Sequence, residues 1–202
     1  MRRNKMSNLP HYASLSGKTL FHKEYSISSI QFEDAQIIRK WRNEQMSALR
    51  QSSKLTEAEQ AAYFYQIIEK DFKNPKPDKI LVRFCFLEEL IGYGGIVHLD
   101  WLNARGEVSF LLETKRTIHH QAYSDDLKAF FELIKELGFM ELGLNKLSTE
   151  AYAHRAFHVK AIEDAGFHRD GVLREQVQVD GQWVDAVVAS CLRNEYLSTR
   201  DS

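Results

Sequence analysis

Residues 147–185 read LSTEAYAHRAFHVKAIEDAGFHRDGVLREQVQVDGQWVD, and four elements are legible in them. Leu147 opens a strand on which Glu150 and Tyr152 share one face. A short amphipathic helix follows from Arg155 to Ala165. Lys160, Glu163 and Asp164 cluster on one side of it, and His158 falls between Ile162 and Ala165 on the apolar side. Ala165-Gly166-Phe167 closes the helix, and two further strands meet at Asp180-Gly181. Such a unit cannot bury its apolar faces alone. The rest of the chain has to supply a sheet on which it finishes.

At 202 residues the chain is read as one domain with a sizeable core. Its 44% apolar and 27% charged content is ordinary for a soluble globular protein. A formal net charge of -1 lacks the basic excess of a broad nucleic-acid binder, so no nucleic acid is expected. Cys85 and Cys191 lie in apolar strand-like runs without metal-ligand spacing and read as buried, reduced thiols. The eight histidines are scattered, and adjacent His119 and His120 are poorly placed to share an ion, so no metal is expected. No apolar run is long enough to span a bilayer, and the polar start MRRNKMSNLPHYAS has no signal h-region. A cytoplasmic protein without membrane association is the expectation.

Residues 1–20, with Pro10 and Gly17, read as a flexible lead-in to a domain over residues 21–202. Tyr25–Phe32 is strand-like, and Glu33-Asp34 open a helix with Ile37, Ile38 and Trp41 on one face. Thr56 and Glu59 form a capping box for a second helix running to about Lys70. Prolines in KNPKPDK force a turn, then Ile80–Leu87 and Leu90–His98 pair as antiparallel strands across Glu88-Glu89. Gly92, Gly94 and Gly95 suggest a bulge in the second of these strands, or a close backbone approach by another molecule. After a turn at Asn103–Gly106 comes the strand Glu107–Leu112. Leu127, Phe130, Phe131, Ile134 and Leu137 then predict a helix from about Asp125 to Leu137, ended by Gly138. Trp183–Leu192 is the last strand. The order β-α-α-β-β-β-α-β-α-β-β indicates α+β or α/β, with a mixed, mainly antiparallel twisted sheet and helices on both faces.

With these elements in place, the chain resembles the GNAT superfamily of N-acetyltransferases over roughly residues 25–192. It is most similar to the branch of ribosomal-protein and nucleotide-sugar N-acetyltransferases. The resemblance rests on Trp41-Arg42-Asn43, Ile91-Gly92-Tyr93-Gly94-Gly95, Glu107-Val108-Ser109-Phe110, and the C-terminal set Gly166-Phe167, Gly171-Val172-Leu173-Arg174-Glu175, Asp180-Gly181 and Asp185. It implies a single GNAT-like domain whose fourth and fifth strands, here Glu107–Leu112 and the one opening at Leu147, splay apart. Acetyl-CoA, as co-substrate, would lie in that gap along Leu111, Leu112 and Glu113. Its pyrophosphate would meet the following loop and helix start: Arg116, His119, His120, Gln121, Ala122, Tyr123 and Ser124. The family's loop Gln/Arg-x-x-Gly-x-Gly/Ala matches His119, Ala122 and Ser124, so both glycine positions are substituted. The family places its cofactor beside the helix that follows the fifth strand, so Arg155, where relatives carry Asn, and His158, where they carry a small residue, would also contact acetyl-CoA. Ile162 stands where many carry a Tyr that protonates the leaving thiolate.

Acetyl transfer needs a neutral amine, a route for its proton, and donors for the developing oxyanion. Glu107, Glu150, Tyr152 and His158 are the catalytic candidates. Each has a plain structural alternative: surface charge for the carboxylates, a half-buried ring for Tyr152, a hydrogen-bonded core position for His158. Arg42, Asn43, Arg50, Gln51, His98, Asp100 and Trp101 are the substrate-binding candidates, suited to a hydroxylated or nucleotide-linked acceptor. The expected activity is N-acetylation of a small primary amine, with a nucleotide-linked amino sugar preferred. Acetylation of a protein N-terminus is the enzymatic alternative, and a non-catalytic GNAT-fold binding module the other. Exposed C-terminal edge strands would allow a homodimer.

Overall fold

The computed structural model describes residues 11–15, 17–49 and 51–200. Eight strands form one sheet: β1 (Leu20–His22), β2 (Tyr25–Ser29), β3 (Ile80–Phe86), β4 (Glu89–Asp100), β5 (Arg105–Leu112), β6 (Lys146–Tyr152), β7 (His168–Val179) and β8 (Gln182–Leu192). Their spatial order is β1-β2-β3-β4-β5-β6-β8-β7. Every neighbouring pair is antiparallel except β5 and β6, which run parallel. That one parallel pair requires a crossover, and α4 (His120–Glu136) supplies it.

The helices cover both faces. α1 (Ala35–Glu44) and α2 (Glu57–Tyr63), which continues through a π turn at Phe64–Ile68 into α3 (Glu69–Lys73), lie on one side. α4 and α5 (Ala156–Asp164) lie on the other, and α6 (Arg193–Arg200) follows β8. The apolar stripe of α4 is buried throughout: Leu127, Phe130 and Ile134 are fully enclosed. Phe130 meets Phe110 at 4.5 Å and Phe84 at 5.3 Å, and Phe131 packs edge-on to Phe167 at 4.8 Å. Each such ring contributes about 2–3 kcal/mol by leaving water.

Local codes explain most element ends. Thr56 and Glu59 make the reciprocal capping box. Gly166 has φ +88°, and Gly166 N–H and Phe167 N–H donate to the carbonyls of Glu163 and Ile162, a Schellman closure of α5. Lys135 Nζ donates to the Ala165 carbonyl at 2.9 Å and ties that closure to α4.

Several expectations are corrected. Tyr12 lies in the stretch read as a flexible lead-in, yet it is fully buried, and its hydroxyl accepts from Leu81 N–H at 2.9 Å; residues 1–10 of that stretch lie outside the described residues. α4 starts at His120, five residues before the expected Asp125, because Ala122, Tyr123 and Ser124 continue the helix instead of forming a loop. Gly138 does not end it. A π turn carries the chain over Leu137–Glu141, and Gly138 instead lets Leu147 pack against the backbone. Of the two readings of the β4 glycines, the bulge is present beside Gly92, where the register with β3 shifts at Phe84/Cys85. The close approach, however, is by this chain's own backbone: a Cβ on Gly94 would strike Ser109 O, and one on Gly95 would strike Ile80 O.

The homodimer expectation falls on β7, an edge strand with Val172 and Leu173 46% and 40% exposed. Among the described residues no helix is long and apolar enough to cross a membrane.

Candidate active site

β5 and β6 pair at only three positions, Arg105–Lys146, Gly106–Leu147 and Glu107–Ser148. Beyond Glu107 the two strands diverge, although β5 continues to Leu112 and β6 to Tyr152. Glu113 N–H donates to Ile91 O, so the odd-numbered residues of β5 bond to β4. Alternation then turns the main-chain groups of Val108 and Phe110 toward the gap, while the Leu112 carbonyl accepts from Gln45 Nε2 at 2.8 Å. A cleft of about 250 Å³ occupies the fork, lined by Glu107, Ser109 and Phe110 from β5 and by Glu150 and Tyr152 from β6.

Arg42 and His98 line the cleft on the α1 side. Arg42 is held rigidly: Nε donates to Gln51 Oε1 at 3.0 Å and Nη1 to Tyr93 Oη at 2.8 Å. Gln51 in turn donates to Asn43 Oδ1, which also accepts from Leu55 N–H. Asn43 and Gln51 therefore position Arg42 and clip the α1–α2 loop. His98 has φ +51° at a register shift between Val97 and Asp100, and this irregularity points its ring at the cleft. Asp100 and Trp101 are not among the lining residues: Asp100 accepts from Asn103 and Arg105, and Trp101 Nε1 donates to Pro77 O. Both shape the β4–β5 turn. Arg50 lies outside the described residues.

On the far side of the fork stand Tyr123, Arg155 and His158. The Tyr123 hydroxyl lies 2.6 Å from His158 Nδ1, and Arg155 Nη2 donates to the same hydroxyl at 3.5 Å. Burial pushes the Tyr123 phenol up, so it stays protonated. Burial first, and the Arg155 charge second, push the His158 imidazole down to about 3. His158 is therefore neutral at physiological pH.

A second opening, bounded by Thr117, His120, Tyr123, His154, Arg155 and Phe157, continues this side toward the start of α4. There the N–H groups of His120, Gln121 and Ala122 precede the first intrahelical bond, Tyr123 N–H to His119 O. His120 stacks on Phe157 at 4.5 Å. Arg116 is committed elsewhere. Its Nε and Nη2 donate to the buried Asp126 at 2.7 and 2.8 Å, and Tyr25 donates to that same carboxylate, which locks the β5–α4 loop to β2. Among the described residues no group of three or more His, Cys, Asp or Glu could hold a metal ion.

The sequence reading missed Val108, Phe110, Gln45 and His154 as cleft residues. Only the last strand-face alternation of Glu107-Val108-Ser109-Phe110 signalled the first two. Gln45 and His154 are brought in by tertiary packing, which no local pattern encodes.

The depressed His158 has a measurable consequence. Its unfolded value near 6.5 exceeds the folded value near 3, so the unfolded chain takes up a proton between these limits and the native chain does not. Stability is complete above pH 6.5 and falls as pH drops through that window. Between pH 6 and 5, His158→Gln is expected to reduce the slope of unfolding free energy against pH by about 1 kcal/mol per unit. Urea titrations at several pH values measure it, and an unchanged slope would place His158 in contact with water.

Comparison with known proteins agrees with this architecture. Residues 27–188 match the family model described as Acetyltransferase (GNAT) domain. An uncharacterized N-acetyltransferase p20 of Bacillus licheniformis is 22% identical over 180 residues, covering 89% of this chain and 98% of that protein. Among solved structures, a spermidine N-acetyltransferase from Vibrio cholerae in complex with CoA and spermine has a TM-score of 0.72 at 15% identity, over 87% of this chain and 99% of that one. A probable acetyltransferase superposes with a TM-score of 0.69 at 19% identity, over 88% and 98%. The ribosomal-protein and nucleotide-sugar branch expected from the sequence finds no support among these neighbours. The chain belongs to the GNAT family of acetyl-CoA-dependent N-acetyltransferases.

Proposed function

We propose that the fork between β5 and β6 is where the thioester of acetyl-CoA meets a small primary amine, with Glu107 and Glu150 drawing the ammonium in and taking its proton. The single observation that carries this reading is the end of β5–β6 pairing at Glu107, which opens main-chain groups beside two carboxylates. The amine nitrogen bonds to the acetyl carbon, the carbon–sulfur bond breaks, and CoA leaves as a thiolate that takes up a proton. Tyr123, protonated and hydrogen-bonded to neutral His158, is the phenol on the α4–α5 side of the fork that could supply it. The N–H groups of His120, Gln121 and Ala122 are the pyrophosphate donors in this reading, with His154 and Arg155 beside them. Arg116 acts one step removed, by fixing the loop through Asp126.

The acceptor divides the readings. Among the described residues, Arg42 and Arg155 are the cations lining the fork that the nucleotide-linked amino sugar expected from the sequence could use as phosphate partners. The spermine-bound neighbour suggests a polyamine instead. The buried free thiols of Cys85 and Cys191 fit the cytoplasmic location expected.

Acetyl-CoA at a hundred times its Kd should stabilise the fold by about 2.7 kcal/mol, seen as a rise of several degrees in Tm. Millimolar acetyl-CoA that neither shifts Tm nor gives heat on titration would remove the enzymatic reading and leave a binding module.

A further inference from the structure

A second cavity of about 420 Å³ lies between α1, α2 and the sheet. Arg42, Val97 and Ser109 line both this cavity and the fork, so the two are adjacent across one short neck. The inner walls are apolar: Ile30, Ile38, Leu55, Phe64 and Leu81, with the rings of Tyr63 and Tyr93. Among the described residues two charged side chains border it, Arg42 and Glu59, and the carboxylate is exposed to solvent. Arg42 is a cation fixed at the neck by Gln51 and Tyr93. Glu59 is drawn to the rim by Thr56, whose N–H and hydroxyl both donate to its Oε2 at 2.8 Å. The polar groups left are phenols, the Ser109 hydroxyl and Gln60, whose amide already donates to Ala35 O.

From this we infer that the acceptor is a primary amine on an apolar, ring-sized body with no second positive charge: the body fills this cavity and the amine passes the neck to Glu107. The inference rests on the transferase reading of the fork. Its physical basis is asymmetry of cost. An aryl or alkyl group gains by leaving water in such a cavity. A second ammonium there would be stripped of water and placed beside the Arg42 guanidinium, with the exposed, Thr56-bound carboxylate of Glu59 as the one acid among the described lining residues to set against it. A polyhydroxylated sugar would leave its hydroxyls facing Ile38, Leu55 and Leu81.

The test uses the full chain with acetyl-CoA, reading CoA thiol release with phenethylamine, spermidine and glucosamine as acceptors. Phenethylamine is expected to exceed each of the others in kcat/KM by at least about 30-fold. Leu55→Trp, which fills the half-buried rim of the cavity, should raise the KM for phenethylamine about tenfold and leave the Kd for acetyl-CoA unchanged. Spermidine or glucosamine turned over as well as phenethylamine would overturn the inference. So would bound acetyl-CoA with neither turnover of phenethylamine nor a Tm shift from it. Failure of acetyl-CoA to bind at all would instead sink the reading of the fork on which it rests.

Discussion

Glu107→Gln is expected to lower kcat about a hundredfold while changing the Kd for acetyl-CoA less than about threefold, the signature of a lost proton acceptor rather than a lost binding contact. The reason is placement. Glu107 is the last residue of β5 in register with β6, so it is held by its pairing with Val97 on β4 and lies beside Ser148 on β6. One residue later the strands part. Its side chain shares a face with Ser109 and borders the cleft at the neck of the apolar cavity. The gap-facing main chain of Val108 and Phe110, where the thioester would lie, is on the other alternation. Glutamine keeps shape and hydrogen bonding but cannot hold a proton. Glu150→Gln is the necessary partner experiment, because Glu150 borders the same cleft from β6. A large fall in Glu150→Gln with none in Glu107→Gln would move the base to β6. A fall in Tm with kcat intact would return Glu107 to a structural role.

The elements of this fold were legible wherever a strong local code and the tertiary demand coincide. The stripe Leu127, Phe130, Phe131, Ile134, Leu137 announces α4, Thr56 and Glu59 announce α2, and Ala165-Gly166-Phe167 announces the close of α5. Boundaries failed where two codes compete. His120 to Ser124 lacks the apolar period of α4, and its two acidic residues, Asp125 and Asp126, look like a first turn. The true first turn is uncharged by acids, and Asp126 is instead the buried partner of Arg116. That pairing spans a loop and a helix, and no spacing rule distinguishes it from a phosphate-binding arginine. The candidate site was legible in part for the same reason. Glu107, Glu150, Tyr152, Arg42 and His158 reach the cleft because strand and helix periodicity fixes their faces, whereas His98 reaches it through the register shift in β4. Asn43, Gln51, Asp100 and Trp101 are polar residues at element ends, where sequence does not say whether a side chain turns to a ligand or to its neighbours. Here each is bonded within the chain. The apolar cavity beside α1 and α2 was not foreseen at all, since its walls come from α1, α2, their flanking loops and three strands, β3, β4 and β5.

Gly94→Ala is expected to destabilise the chain by about 3 kcal/mol or more, the scale of severe overpacking, or to prevent folding. A Cβ at this position would collide with the Ser109 carbonyl and sit 2.6 Å from Phe130 Cζ. Neither neighbour can retreat cheaply. Ser109 is locked in the β4–β5 ladder opposite Gly95, and Phe130 is fully enclosed between Phe84, Phe110 and Phe131. The missing Cβ lets α4 press close enough to the sheet for Phe130 to support Phe110, whose main chain faces the fork. Damage at Gly94 should therefore reach the site as well as the core. Gly171→Ala is the control. A Cβ there meets nothing within 4 Å, so reduced freedom of the unfolded chain should leave stability unchanged or raise it by up to about 1 kcal/mol. Urea denaturation of both variants, with acetyl-CoA affinity measured on whatever folds, separates the cases. If Gly94→Ala is as stable as the parent, the close approach of β5 and α4 over β4 is wrong, and with it the placement of Ser109 and Phe110 at the mouth of the fork.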